Sequence, residues 1–282
     1  MKYTRKNFLR VLGIGTIAAT SSVACKAAQT GQKNTGPVHP LTLGLASYTT
    51  RSLTLDETLA VCNRLNLKAI SLKSMHLPLD SSKSDIEAVA AKVRAAGIDL
   101  YGAGVIYMKS EDEVNNAFDY AKTAGMRMII GVPNPELLPL VEKRVKETDI
   151  KLAIHNHGPG DKVYPSPDDV MAKVKDLDKR IGLCIDIGHT FRIGQDPVAK
   201  AKQYADRLYD IHLKDVNKLG AEGTPQEFGR GIMDLPAFIQ CLRDIKYTGI
   251  VGLEYEKDGK DPIPGLAESV GYTNGIMDTL AS

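Results

Sequence analysis

Eight short apolar runs rich in β-branched residues recur along the chain from residue 41 onward. Between them lie segments whose apolar residues repeat at helical spacing, as Ile86, Ala90 and Val93 do. Continuous apolar runs are typical of parallel strands that are buried on both faces of a sheet. The predicted strands are residues 41–46, 69–72, 98–103, 128–132, 151–155, 181–186, 208–213 and 249–254.

Eight strand and helix units in this length match a single (β/α)₈ barrel, or TIM barrel, an α/β fold of about 250 residues. We therefore predict one such domain over residues 41–282, in which Gly97 and Gly125 terminate two of the helices. The alternative, a doubly wound open sheet, predicts a glycine-rich phosphate-binding loop after the first strand. Residues 46–50 read Ala-Ser-Tyr-Thr-Thr and are not such a loop, so the barrel is favoured.

The first 24 residues have the pattern of a secretory signal peptide. A charged segment is followed by an apolar stretch over residues 11–19. This stretch is shorter than the ~20 residues that a membrane-spanning helix needs. Residues 5–9 also resemble a twin-arginine signal in which one Arg is replaced by Lys. We therefore expect the protein to be exported.

The next residues predict how the exported chain is held. Residues 22–25, Ser-Val-Ala-Cys, resemble a bacterial lipobox with Ser22 in place of the usual Leu, which makes Cys25 a candidate lipidation site. Cleavage without lipidation is the alternative. Residues 25–40 are polar, with Gly and Pro, and predict a flexible tether. The expected location is the periplasm or, through the lipid, the membrane surface.

Charge and cysteine content exclude several classes of protein. The net charge is +2, and it falls to −2 when the four basic residues of the first ten are removed, so nothing indicates a nucleic-acid partner. The cysteines at 62, 184 and 241 are irregularly spaced within apolar segments. We therefore expect buried thiols rather than a disulfide framework or a zinc knuckle.

Polar side chains follow the predicted strands where each strand ends. In a TIM barrel these ends converge on one mouth, where the active sites of such enzymes lie. Strands five to eight each deliver one imidazole or carboxylate there, from His155, Asp186, His212 and Glu254. One His at a barrel mouth is more often a hydrogen-bonded rim residue, but four such residues on consecutive strands favour a metal site. The mixed set suits one divalent ion, Mn²⁺, Co²⁺, Zn²⁺ or Mg²⁺.

From about residue 41 onward the chain resembles the xylose-isomerase-like superfamily of TIM barrels, also called the sugar phosphate isomerase/epimerases. The resemblance rests on Ala-Ile-His-Asn-His-Gly at 153–158, Cys-Ile-Asp-Ile-Gly-His at 184–189, His-Leu-Lys-Asp at 212–215, Gly-Arg-Gly at 229–231 with Asp-Leu-Pro at 234–236, and Tyr-Thr-Gly-Ile-Val-Gly-Leu-Glu at 247–254. It implies one divalent metal held by Glu, Asp, His and Glu. Asp186, His212 and Glu254 match the last three, and His155 stands where the first Glu usually is.

The resemblance implies proton abstraction next to a carbonyl, through an enediolate that the metal stabilises. In the family both Glu residues also act as acid and base. Glu254 is the predicted base here, and metal ligation is the competing assignment for it. An imidazole at position 155 can bind metal but cannot be assumed to replace the second carboxylate base.

Further candidates follow from their positions near the predicted mouth. His157 or His189 is the candidate second acid or base, with orientation of the metal ligands as the alternative role. Lys214 is a candidate for stabilising an oxyanion, and an ion pair with Asp215 or another carboxylate is the alternative. The candidate substrate-binding residues are Tyr48, Lys73, His76, Arg230 and Glu256.

Four functions are compatible with these features to different degrees. The leading hypothesis is an isomerase or epimerase of a free sugar, since export argues against a phosphorylated substrate. A lyase or dehydratase acting on a keto-sugar such as a 3-keto-glycoside needs one base and one acid, which fits the loss of a carboxylate at position 155. A non-catalytic sugar-binding lipoprotein is the third. The endonuclease branch of the superfamily needs more metal ions and a basic surface, which the charge argues against.

Overall fold

Within residues 41–281, eight parallel strands close into a barrel in chain order, and the last strand pairs with the first. The computed structural model describes residues 41–281; the predicted signal peptide, the tether and Cys25 lie outside the described residues. The predicted (β/α)₈ barrel is confirmed. The strands are β1 (Thr42–Ala46), β2 (Ala69–Leu72), β3 (Asp99–Met108), β4 (Met128–Pro133), β5 (Lys151–His155), β6 (Ile181–Asp186), β7 (Leu208–Leu213) and β8 (Ile250–Leu253).

Helices connect the strands. Gly97 and Gly125, with φ of 75° and 64°, follow the second and third helices as predicted, in the left-handed conformation that glycine adopts without strain. No helix in residues 41–281 is long and apolar enough to cross a membrane. The α-helices are α1 (Leu55–Arg64), α2 (Lys83–Ala95), α3 (Glu111–Thr123), α4 (Leu138–Thr148), α5 (Pro167–Val174), α6 (Ile187–Arg192), α7 (Pro197–Gln203), α8 (Leu235–Asp244) and α9 (Ile263–Ala281).

Successive side chains of each strand point alternately outward and into the barrel, so the core has two layers. On β5, Leu152 and Ile154 pack outward against the helices, whereas Ala153 belongs to a smaller cluster inside the barrel. Cys184 of β6 belongs to the same inner cluster. His155 and Asp186 follow these two residues at a spacing of two, so their side chains also point inward, one level nearer the mouth.

Two differences from the predicted strand boundaries affect the mouth of the barrel. β3 was predicted to end at residue 103 but continues to Met108, because residues 104–108 keep pairing with β4 after a shift of register. β8 ends at Leu253, so Glu254 lies just past the strand rather than at its end. Cys62, Cys184 and Cys241 are buried free thiols, as predicted.

Candidate active site

The four predicted ligand residues meet at the C-terminal mouth of the barrel. His155 and Asp186 are the last residues of β5 and β6, His212 is the last but one of β7, and Glu254 follows β8. One ligand atom from each residue lies within 4.8 Å of those of the other three. The four residues are at most 5% exposed. This metal-ligand cluster thus combines two imidazoles and two carboxylates that are shielded from bulk water.

Several atoms of the metal-ligand cluster lack the hydrogen bonds that buried polar atoms normally make. Among the described residues, neither ring nitrogen of His155 has a hydrogen-bond partner, nor does Asp186 Oδ2. His155 Nε2 lies 3.4 Å from Asp186 Oδ2, and His212 Nδ1 lies 2.9 Å from Glu254 Oε2. An unsatisfied buried polar group costs about 1–3 kcal/mol. A divalent cation would satisfy such atoms, so the residues present fit a metal.

Burial and neighbouring charges set the protonation states of the cluster. Burial lowers the pKa of His155 well below its ordinary value, so its ring is neutral and able to bind metal. Burial alone would raise the pKa of Asp186 and of Glu254, but cationic neighbours hold both pKa values well below the ordinary range. Burial alone would also lower the pKa of His212, but the carboxylates, led by Glu254, raise it.

Lys214 supplies a buried positive charge beside the cluster. Its Nζ lies 3.1 Å from Asp186 Oδ2 and 3.0 Å from Glu254 Oε2, and it donates a hydrogen bond to Glu256. Burial alone would lower the pKa of Lys214, but these three carboxylates raise it well above the ordinary value. Of the two roles considered from the sequence, the structure places Lys214 in an ion pair with neighbouring carboxylates, and Asp215 is not among them.

A pocket of about 310 Å³ opens above the cluster. It is large enough for a small ligand such as a monosaccharide. The predicted residues Tyr48, Lys73, His157, His189 and Glu256 all line it. Its other lining residues are Val105, Tyr107, His155, Lys214 and Glu254.

Two histidines form the side of the pocket next to β5 and β6. His157 Nε2 lies 2.8 Å from the Tyr107 hydroxyl, and His157 Nδ1 lies 3.6 Å from Asp161 Oδ2. The backbone N–H of His189 donates to Asp186 Oδ1 at 2.8 Å, which fixes that carboxylate while its other oxygen faces the cluster. Burial lowers the pKa of both His157 and His189. Burial therefore favours the neutral form of both imidazoles.

Tyr107 is a pocket residue that sequence reasoning missed. It lies on the part of β3 beyond the predicted strand end and is 48% exposed. Val105 lies two residues earlier and also lines the pocket. The signal that could have found them is the continuing run of Val, Ile, Tyr and Met after Gly104.

Two predicted substrate contacts lie away from the pocket. His76 is 7% exposed, and its ring nitrogens lie 3.0 Å from Ser47 Oγ and 3.1 Å from the Leu53 carbonyl oxygen. These bonds turn the imidazole into the loop packing around β1. Arg230 is exposed and forms an ion pair with Glu268 of α9. Neither residue lines the pocket.

The Gly-Arg-Gly motif has a structural explanation in Asp215. The buried Asp215 carboxylate accepts backbone N–H bonds from Val216 at 2.9 Å, Gly229 at 2.9 Å, Gly231 at 3.0 Å and Met233 at 3.3 Å. A Cβ at Gly231 would lie 2.1 Å from the Asp215 carboxylate. Asp215 therefore fixes the loop that leads to α8, and Asp234 caps that helix, as predicted.

A model of the xylose isomerase-like TIM barrel family matches residues 55–275. The chain belongs to this family. In this xylose isomerase-like barrel, His155, Asp186, His212 and Glu254 lie close enough together to hold a metal ion.

Curated relatives match part of the xylose isomerase-like chain. The rhizopine catabolism protein MocC of Rhizobium meliloti is 26% identical over 147 residues, which are 47% of this chain and 45% of the relative. An inosose dehydratase of Lacticaseibacillus casei is 27% identical over 131 residues, 41% of this chain and 43% of the relative. The match thus spans less than half the length of each relative.

Solved structures match nearly the whole barrel. A protein of Parabacteroides distasonis is 26% identical with a TM-score of 0.65, covering 83% of this chain and 98% of that one. The zinc-bound IOLI protein is 17% identical with a TM-score of 0.70, covering 85% and 99%. A 3-keto-D-glucoside 4-epimerase of E. coli is 14% identical with a TM-score of 0.67, covering 84% and 100%. The last two likenesses concern the fold alone.

Proposed function

We propose that this protein is a metal-dependent enzyme that removes the proton next to the carbonyl of a keto-sugar or cyclic polyol ketone. We further propose that it then expels the substituent on the following carbon, as a dehydratase or lyase. The observation that carries this proposal is the asymmetry of the site. Glu254 is the one ligand carboxylate that lines the pocket, whereas imidazoles at 155, 157 and 189 line the side next to β5 and β6.

Different residues of the pocket act in the first step, which removes the proton from the α-carbon. Glu254 accepts the proton from the α-carbon, and the electron pair of the C–H bond moves toward the carbonyl oxygen. A divalent ion held by His155, Asp186, His212 and Glu254 would supply a positive charge that polarises this oxygen. Lys214, 3.0 Å from Glu254 Oε2, keeps the base ionised until the substrate proton is transferred.

The second step breaks the bond to the leaving group. As the carbonyl re-forms, the electron pair makes a C=C bond and the C–O bond on the next carbon breaks. His157 or His189, after taking a proton from solvent, donates that proton to the departing oxygen and becomes neutral. The Tyr107 hydroxyl lies 2.8 Å from His157 Nε2 and orients the His157 ring at the rim of the pocket. The products are an unsaturated ketone and water or an alcohol.

One base and one acid are enough for this elimination. Epimerisation needs a second group that returns the proton on the opposite face, and the resemblance assigns that role to the carboxylate that His155 replaces. The name of the inosose dehydratase relative supports the same reaction class. An isomerase or epimerase remains the second candidate, because His157 and His189 lie where an imidazole could return a proton.

The deciding experiment identifies the reaction products and measures deuterium incorporation in the same incubation. The purified protein is incubated in D₂O with Mn²⁺, Co²⁺, Zn²⁺ or Mg²⁺ and a panel of ketoses, inososes and 3-keto-glycosides. We expect loss of water or release of the aglycone, and no product from Glu254→Gln. The matched control Glu268→Gln, whose side chain pairs with Arg230 away from the pocket, should keep full activity.

Other outcomes identify the alternatives. Deuterium at the α-carbon without bond cleavage would support the epimerase or isomerase. Ligand binding without either change, unaltered in Glu254→Gln, would support a sugar-binding protein and overturn the enzyme proposal. Cleavage that survives in Glu254→Gln would refute the assigned base.

We also propose that the protein acts outside the cytoplasm on a small carbohydrate. The charged and apolar pattern of residues 1–24 and the lipobox-like residues 22–25 support this location. A lipid on Cys25 would be its one membrane attachment in this proposal. Export would favour substrates without phosphate groups.

A further inference from the structure

A buried carboxylate beneath the metal-ligand cluster plays no part in the proposed reaction. Asp210 lies on β7, two residues before His212, so both side chains point into the barrel. It is fully buried and does not line the pocket. The Tyr101 hydroxyl donates to its Oδ1 at 3.2 Å, and the Cys184 thiol donates to its Oδ2 at 3.6 Å.

In residues 41–281, no lysine or arginine forms an ion pair with Asp210. Among the described residues, His212 is the sole basic side chain within 4.0 Å of it, with Nε2 3.8 Å from Asp210 Oδ2. A buried carboxylate is costly unless charged or hydrogen-bonding groups compensate it. The Tyr101 hydroxyl, the Cys184 thiol and the backbone N–H of Ile211 compensate Asp210 in part. The Nε2 edge of the His212 ring is the neighbouring basic group among the described residues.

The orientation of the His212 ring places Nδ1 and Nε2 in different surroundings. Nδ1 faces Glu254 at 2.9 Å and so belongs to the metal-ligand cluster, whereas Nε2 has no hydrogen-bond partner among the described residues. On the neighbouring strand, Gly252 pairs with His212 and places no side chain beside the ring. A Cβ at position 252 would lie 3.8 Å from His212 Cδ2 and 3.4 Å from the Tyr101 hydroxyl. The Cδ2 and Nε2 edge of the ring therefore faces the barrel interior.

We propose that Asp210 is a positioning residue that holds His212 with its proton on Nε2 and its Nδ1 lone pair directed at a divalent metal ion. A neutral imidazole carries one N–H, so an acceptor at one nitrogen decides which nitrogen can bind metal. Carboxylates that accept this bond from a metal-bound His orient the ring and raise its basicity. The proposed bond requires the 3.8 Å separation of His212 Nε2 and Asp210 Oδ2 to shorten to hydrogen-bond length.

The first test reads the tautomer directly and needs no variant. In the zinc-loaded protein, ¹⁵N-labelled histidine spectra assign which nitrogen of His212 carries the proton. We expect a proton on Nε2, shifted downfield by the carboxylate, and zinc on Nδ1. A proton on Nδ1, with zinc on Nε2, would overturn the proposal.

The second test measures metal affinity by competition of Zn²⁺ with a chromophoric chelator. Replacement of the partner of a metal-bound His typically costs 10–100-fold in affinity, and we expect about this loss in Asp210→Asn. The matched control Tyr101→Phe removes a hydrogen bond to the same carboxylate but keeps its charge, so its loss should be smaller. A folded Asp210→Asn protein that binds Zn²⁺ as tightly as the unmodified protein would refute the assignment. Neither test depends on turnover, so failure here is distinct from failure of the proposed reaction.

Discussion

Replacing Lys214 with Met removes a buried positive charge while keeping a side chain of similar length. The ammonium lies 3.1 Å from Asp186 Oδ2 and 3.0 Å from Glu254 Oε2, and it also contacts Glu256. The residue is 4% exposed, so water cannot easily take its place. In the metal-free protein the substitution leaves several buried carboxylate charges without their main counter-ion.

The magnitude follows from these contacts. A unit charge pair at this distance attracts by about 5 kcal/mol at an effective dielectric constant near 20. Desolvation of the ammonium offsets part of this attraction, and loss of one partner from a buried pair typically costs about 3–5 kcal/mol of stability. We expect the free energy of unfolding of the metal-free Lys214→Met protein to fall by about 3 kcal/mol.

A bound divalent ion should reverse part of this loss. The ion supplies positive charge to the same carboxylates and no longer meets repulsion from the ammonium. The unfolding free energy should therefore fall less in the metal-loaded variant than in the metal-free one. By linkage, each ~1.4 kcal/mol of this difference raises metal affinity tenfold, so we expect Lys214→Met to bind Mn²⁺ or Zn²⁺ at least about tenfold more tightly.

The assay is urea denaturation with chelator and with saturating metal, together with calorimetric titration of the metal. Lys257→Met is the matched control, because Lys257 Nζ lies 2.8 Å from Glu227 Oε2 but its side chain is 40% exposed. Exposed pairs contribute about 0–1 kcal/mol, so this control should lose little stability and keep its metal affinity. Equal destabilisation of metal-free and metal-loaded Lys214→Met, or weaker metal binding, would refute the electrostatic argument.

Three further substitutions test the loop, the pocket and the N-terminus. Asp215→Asn should lower the free energy of unfolding by about 2–4 kcal/mol in urea denaturation, since the buried carboxylate accepts four backbone N–H bonds. Lys73→Met should raise KM about tenfold with little change in kcat, because Lys73 lines the pocket outside the metal-ligand cluster. Cys25→Ser should abolish incorporation of labelled fatty acid and release the protein from the membrane fraction.

Each of the three substitutions has a control variant and a result that would contradict the prediction. Asp56→Asn removes an exposed partner of Lys92 and should change stability by less than about 1 kcal/mol; an equally small effect for Asp215→Asn would contradict the role of its hydrogen bonds. Unchanged KM in Lys73→Met would show that the substrate does not contact this side chain. Cys62→Ser should keep the lipid label, and a label retained by Cys25→Ser would exclude Cys25 as the lipidated residue.

The sequence alone determined the barrel fold and the proximity of the four predicted ligand residues at its mouth. Apolar runs alternating with amphipathic helices define eight parallel strands, and a closed parallel sheet brings all strand C-termini to one mouth whatever the loops do. His155, Asp186, His212 and Glu254 each follow an apolar run, so their convergence depends on strand periodicity alone. That periodicity is a local property that can be read from neighbouring residues.

The tertiary structure decided which side chains of the loops reach the pocket. Lys73 and His76 follow the same strand, yet Lys73 lines the pocket and His76 turns away to bond Ser47. Tyr107 enters because β3 continues to pair with β4. The orientation of His76 depends on partners that are distant in the chain, so no local pattern reports it.

The charge balance of the site was also decided by the tertiary structure. The sequence placed Lys214 near the mouth but left its carboxylate partner open, and the folded chain surrounds it with Asp186, Glu254 and Glu256. It likewise places Asp210 behind His212. The strand pattern fixes which face a side chain is on, whereas protonation and metal preference depend on burial and on charges brought together from different strands.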